Sequence, residues 1–215
     1  ALNGLGSMSP AAARERLGQL ETEHGIRRGW VWARLGMCPL ANALAHLAEL
    51  AKRTATTLGG DSADMMAKLY AEGGYIADDA ALRAAACVKT AEDVAAVQAA
   101  VRCVYLPWLD DTARHFQECV ASQTLPSAAE KEPIEADAGE CVLFVDGLRF
   151  DIGQRLAAMA AERQLEVSAD WRWAALPTVT ATAKPAASPV ARELRGGNLD
   201  ADFCPETSNT GERLT

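Results

Sequence analysis

Apolar residues recur at Leu40, Ala43, Leu44, Leu47, Ala51 and Leu58, a spacing that lays them along one face of a helix. Pro39 suits the first position of that helix and Gly59-Gly60 supplies its stop. A second helix is expected from Asp61 or Ser62 through Met65, Met66, Leu69 and Tyr70 to Gly73-Gly74, with a polar cap in front and glycine behind. Asp78-Asp79 opens a third, ending near Lys89. Thr90-Ala91-Glu92-Asp93 resembles a capping box with Asp in the place of Glu or Gln, and Val94, Val97, Val101 and Val104 continue an apolar face towards Tyr105. Pro107 has no N–H to give, so it is expected to kink or break this helix before it resumes from Trp108 to Gln123. Residues 1–123 thus read as an all-helical module.

The pattern then changes. Pro126 and Pro133 interrupt the stretch 124–140, and Glu130, Lys131, Glu132, Glu135, Asp137 and Glu140 make it a charged, mostly acidic linker. Cys141 to Val145 is a short apolar run that reads as a buried strand. A helix is expected from about Arg149 to Arg163, with Ile152, Leu156 and Met159 on its apolar side, followed by a second strand within Leu165–Leu176 where Val167, Ala169, Trp171 and Trp173 alternate. Strand, helix and strand joined by short connections form a right-handed βαβ unit, the seed of a parallel sheet. The expected fold class is therefore α plus α/β: a helical module over 1–123, a linker over 124–140, and the beginning of an α/β domain over 141–215.

Composition refines the picture. With 215 residues, 49% of them hydrophobic and 23% charged, the chain can bury a core of ordinary size. No apolar run approaches the roughly 20 residues that span a bilayer, and no secretory pattern opens the chain, so a cytoplasmic address without membrane contact is expected. Six cysteines without a Cys-x-x-Cys pair read as reduced core residues rather than a disulfide or zinc framework. His24, His46 and His115 show no metal-ligand spacing. A net charge of −8 argues against a general electrostatic grip on nucleic acid. Arg27, Arg28 and Arg34 beside Trp30 and Trp32 could stack on bases, but packing of these tryptophans on a neighbouring element is the expectation. The chain does not open with Met and closes on a polar stretch from Asn198 to Thr215, which suggests that further C-terminal sequence belongs to the domain.

The candidate chemistry lies in the second half. Asp146 ends the first expected strand and Gly147 after it permits a sharp turn and close approach of a ligand. The plainer role for Asp146, and for Asp151, is to cap the following helix. Thr178, Thr180 and Thr182 alternate after Pro177, at the mouth of a new helix where backbone N–H groups favour negative charge; otherwise they are a Thr-rich strand end. A hydroxyl is a weak nucleophile at neutral pH, and a divalent cation such as Zn²⁺ makes it effective by stabilising the alkoxide. Lys184 can offer a positive charge to phosphate if it is not simply solvated. Together these residues suggest a metal-activated hydroxyl that attacks phosphorus.

The run Val142-Leu143-Phe144-Val145-Asp146-Gly147-Leu148-Arg149-Phe150-Asp151, then Trp173 through Ala186 with Pro177-Thr178-Val179-Thr180 at its centre, then Ser188-Pro189-Val190-Ala191, resembles the PglZ family of BREX-type bacteriophage-resistance systems. The core of that family belongs to the alkaline phosphatase superfamily. Trp30-Val31-Trp32-Ala33 and Tyr105-Leu106-Pro107-Trp108-Leu109 are similar to the region preceding the PglZ domain. The resemblance implies Asp146 as a metal ligand, Thr180 as nucleophile and metal-bound hydroxyl with Thr178 as fallback, and zinc in a two-metal site. It implies a phosphodiesterase, nuclease or phosphatase acting on a phosphate ester such as DNA or a nucleotide, with other BREX proteins, a methyltransferase and an ATPase, as partners. The chain departs from the family pattern in one respect: no histidine follows His115, and two ligands fall short of the three that a catalytic zinc requires. The 215-residue chain is accordingly expected to be inactive or to bind metal poorly. Among rivals, a haloacid-type phosphatase would want an Asp where Leu148 stands, a receiver domain would want an earlier acidic pair, and a dinucleotide fold would want more than the lone Gly147. The alternative of another class is a non-catalytic scaffold whose helical half docks other defence proteins.

Overall fold

Local capping chemistry starts three of the described helices. In the computed structural model, which describes residues 1–123, 138–176, 178–196 and 205–213, Ser9 caps helix α1 (Pro10–His24) by accepting the Ala12 N–H at 3.3 Å, with proline in the first position. A 3₁₀ turn (Gly25–Gly29) and the single turn α2 (Val31–Arg34) lead to α3 (Pro39–Arg53), which starts at proline as the sequence indicates. Ser62 caps α4 (Ala63–Leu69) through the Met65 N–H at 3.1 Å. Thr90 caps α6 (Ala91–Ala121) through the Asp93 N–H at 3.2 Å.

Two expectations for this half are corrected. Gly73-Gly74 does not stop a helix: the chain passes through a π-helical turn (Tyr70–Gly74) directly into α5 (Tyr75–Ala86), so α5 opens before Asp78. Gly74 has an ordinary helical φ of −60°. Its missing side chain serves close approach instead, since a Cβ there would lie 3.1 Å from Leu58 Cδ1 and 3.2 Å from Tyr70 Cδ2. Of the kink or break expected at Pro107, the break does not occur: α6 runs through it to Ala121. Proline deletes one donor, and the flanking turns are held by burial of Val104 and Trp108, the latter also donating its Nε1–H to the Thr56 carbonyl at 2.9 Å.

By contact the chain divides into two units, Ala1–Thr124 with Phe150–Leu156 and Leu125–Arg149 with Ala157–Thr215. In the first, α3 is the central helix and packs against α1, α5 and α6. Leu5, Leu17, Leu20, Leu47, Leu50, Val97 and Val104 are fully buried there. Burial of each such side chain contributes roughly 1.5–3 kcal/mol. Among the described residues Thr112 Oγ1 is buried without a hydrogen-bond partner, whereas the polar groups nearer the core are paired. Asp78, nearly buried, accepts the Tyr70 hydroxyl at 2.6 Å and the Tyr105 hydroxyl at 2.5 Å. Arg14 donates to Thr54 Oγ1 at 3.2 Å and to the Val104 carbonyl at 3.4 Å.

Helix α7 (Phe150–Glu162) occupies the range the periodicity predicts. Its first two turns, however, belong to the helical unit. The Phe150 ring meets Tyr70 and Tyr75 at 5.8 and 5.6 Å between centroids, Asp151 is buried, and Arg155 pairs with Asp79.

In the second unit neither predicted strand is formed. Residues 141–145 and 165–176 have no strand pairing, and Leu143 is 81% exposed. A parallel strand exists only through its ladder and two covered faces, and among the described residues nothing pairs with either segment. The sheet that is described is one short antiparallel pair, β1 (Leu194–Gly196) with β2 (Pro205–Thr207), with the backbone of position 195 in register with that of 206. The helical module is thus seen, while the α/β arrangement is not. Residues 124–137 of the expected linker, Pro177 and Cys204 lie outside the described residues. No described helix is long and apolar enough to cross a membrane.

Candidate functional site

The threonine segment does open a helix, α8 (Thr180–Ala187). Val179 stands at the N-cap in extended conformation and has no side-chain acceptor to offer, so only half of a capping box forms: the Val179 N–H reaches Thr182 Oγ1 at 3.4 Å, and the same hydroxyl donates to the Val179 carbonyl at 3.0 Å. Thr182 is buried by this role. Thr178 and Thr180 are exposed, Thr180 in the first helical position beside unpaired backbone donors. At the other end of α8, the Arg172 guanidinium donates to the Ala186 carbonyl at 3.4 Å, satisfying one of the terminal acceptors.

Asp146 lies in a turn with Gly147, whose φ of 69° favours glycine. It does not cap α7: the N-cap there is Arg149, without a side-chain bond. Asp151, the other capping candidate, is inside the first turn and buried. Asp146 Oδ2 instead pairs with Lys184 Nζ at 2.8 Å. Both side chains are more than a third exposed (61% and 46%), so the pair contributes only about 0–1 kcal/mol. Its value is positional, because Lys184 follows Thr180 by four residues and shares its helix face. The structure therefore brings the Asp146 turn to the face of α8 that carries Thr180 and Lys184. Among the described residues no hydrogen bond joins Asp146 to Thr178 or Thr180.

No group of three His, Cys, Asp or Glu side chains is gathered among the described residues, and Asp146 with Thr180 gives fewer protein ligands than a catalytic zinc takes. By themselves these residues do not fit such an ion; the positive charge facing Asp146 is that of Lys184.

The first unit holds features that the sequence reading did not identify. His46 is half-buried, and burial, followed by the nearby Arg83, pushes its pKa below the usual range while Asp79 pulls the other way. Asp79 itself is shared between Arg83, at 2.7 Å, and Arg155. Burial also raises the thiol pKa of Cys87 and Cys103. Trp30 and Trp32 are only half covered, at 46% and 54% exposed, with the Arg27 guanidinium 5.7 Å from the Trp30 ring centroid. A cavity of about 560 Å³ is lined by Arg27 and Met37 and by the buried Leu20 and Leu44. The signal available in the sequence was the absence of any Lys, Asp or Glu from Gly25 to Ala48, a stretch with three arginines and two tryptophans.

No family model, no curated protein and no solved structure matches this chain.

Proposed function

We propose that the chain is part of a PglZ-type component of bacterial anti-phage defence and serves phosphoryl transfer, with Thr180 as the attacking residue and residues 141–215 contributing to an α/β domain. The observation that carries the reading is the 2.8 Å pair between Asp146 and Lys184, one helical turn from the exposed Thr180. Thr180 Oγ forms a bond to phosphorus as the bond to the ester oxygen breaks; its proton passes to solvent, and the departing oxygen takes a proton from solvent and leaves as the alcohol. Water then cleaves the phosphothreonine. Lys184 and the first N–H groups of α8 favour the negative phosphoryl oxygens, with Thr178 as the fallback nucleophile. Zinc is the cofactor this reading calls for, and ligands beyond Asp146 and Thr180 are needed to hold it. Phosphate esters such as DNA or a nucleotide are the proposed substrates, a methyltransferase and an ATPase of the same system the proposed partners, and the cytoplasm the proposed compartment.

The test is hydrolysis of bis-p-nitrophenyl phosphate with added Zn²⁺, by the 215-residue chain and by the protein expressed from the natural gene. The gene product is expected to turn over, to lose activity by at least about 100-fold in Thr180→Ala, and to bind zinc stoichiometrically by elemental analysis. The 215-residue chain is expected to be inactive. Full activity of the gene product carrying Thr180→Ala refutes Thr180 as nucleophile, and absence of both zinc and turnover in the gene product refutes the hydrolase.

A further inference from the structure

The helical unit presents an apolar face that its own elements leave open. Ile26, Trp30, Val31, Trp32, Leu35 and Met37 fall within twelve consecutive positions and are all exposed, from 46% at Trp30 to 73% at Ile26. Single exposed apolar residues are ordinary, whereas a contiguous set containing two tryptophans marks an interaction surface. Its composition agrees: Trp, Met and Arg are enriched and Lys, Asp and Glu depleted at the centres of protein interfaces, and none of the last three occurs between Gly25 and Ala48.

The charge on this face is uncommitted in one direction. Arg28 is consumed internally, held by both oxygens of Glu21 and by the Ala41 carbonyl at 3.0 Å. Arg27 and Arg34 are exposed, and among the described residues neither has a carboxylate partner. Arg27 and Met37 also edge the cavity of about 560 Å³, so the exposed face runs into a recess whose base is leucine. Glu92 and Asp93 line that recess as well.

We propose that this face docks an acidic amphipathic segment of another protein, with an aliphatic or aromatic anchor entering the recess and carboxylates meeting Arg27 and Arg34. The recess has the size of a site for one or two large side chains, and a helix laid into an apolar groove is a recurring way of filling such a site. Nucleic acid fits less well, because Ile26, Val31, Leu35 and Met37 outnumber the two tryptophans and offer no flat ring on which a base can stack. The inference uses the first unit alone and does not depend on the phosphoryl-transfer reading.

The experiment titrates the 215-residue chain into a fluorescein-labelled peptide of about 16 residues, with leucine at helical i, i+3 and i+4 positions and glutamate on the polar face. Fluorescence anisotropy is expected to saturate, with a blue shift of tryptophan emission. Trp32→Ala and Arg34→Glu should each weaken binding by at least about tenfold while leaving the circular dichroism unchanged, as both residues are exposed. The same peptide with lysine for glutamate should not bind. The proposal is overturned by absence of saturation up to about 1 mM peptide, by equal affinity for the lysine peptide, by unchanged affinity in both variants, or by displacement of the peptide by oligothymidylate. It is also overturned if sedimentation velocity shows a dimer that Trp32→Ala dissolves, which would make a second copy of the chain the occupant.

Discussion

His46 shows how one residue ties a packing arrangement to pH. It lies on α3, half-buried, with Arg83, Arg155 and Arg28 acting against its protonation and Asp79 in favour. Its pKa in the fold is therefore lower than the usual value near 6.5. Between those two values the unfolded chain binds a proton that the folded chain does not, so stability rises with pH across that window. Conversely, it is lost as pH falls through about 6.5 towards the folded value. The expected result is a urea midpoint that declines between about pH 7.5 and about pH 5.5, and a shallower decline in His46→Gln, which carries no proton to titrate. An equal slope in the variant would place the dependence elsewhere. The same logic of partners over sequence position governs Asp146 and Lys184. Each could be assigned a separate role from its neighbours in the chain, yet they neutralise one another in space.

At the scale of elements, the caps were the most legible feature. Ser62 and Thr90 stand where polar residues precede apolar periodicity, and each accepts the N–H three residues on. Thr90→Ala is expected to destabilise the chain by about 1 kcal/mol, read as a lower midpoint in thermal or urea unfolding, because it removes the only side-chain cap of α6 among the described residues. What the chain order did not disclose was non-local. Gly73-Gly74 has the signature of a stop, but its small size accommodates Leu58, which local pattern cannot reveal. Pro107 has the signature of a break, but Trp108 and Val104 anchor the turns around it. Helix α7 was placed within a residue at each end; that Phe150 and Arg155 would pack with Tyr70, Tyr75 and Asp79 depends on contacts across some 75 residues of sequence. In the candidate site, the helix mouth at Thr180 was legible from the proline-threonine pattern. The ion pair that brings Asp146 to it was not, since nothing in either local sequence specifies the other as partner.

At the scale of the whole molecule, the two units differ in how far their backbone is held. In the first, helices surround a core of fully buried leucine and valine, so its central amides open only with large-scale unfolding. In the second, 142–145 and 166–169 are exposed, and among the described residues their amides make no backbone hydrogen bond. The apolar pattern of these segments suits strands, as the sequence reading held, but pattern supplies only a preference; pairing requires a neighbouring backbone. Hydrogen exchange monitored by mass spectrometry at neutral pH separates the two situations. Peptides from α3 and the first half of α6 are expected to exchange slowest, and peptides over 142–145 and 166–169 within seconds, while those covering Phe150–Leu156 follow the helical unit through their contacts with Tyr70, Tyr75 and Asp79. Slow exchange at 141–145 in the 215-residue chain would mean that a ladder forms in solution and that the α/β arrangement is already present. Fast exchange there would mean that no ladder forms over 141–145 in solution and that Asp146 is not carried at the end of a paired strand.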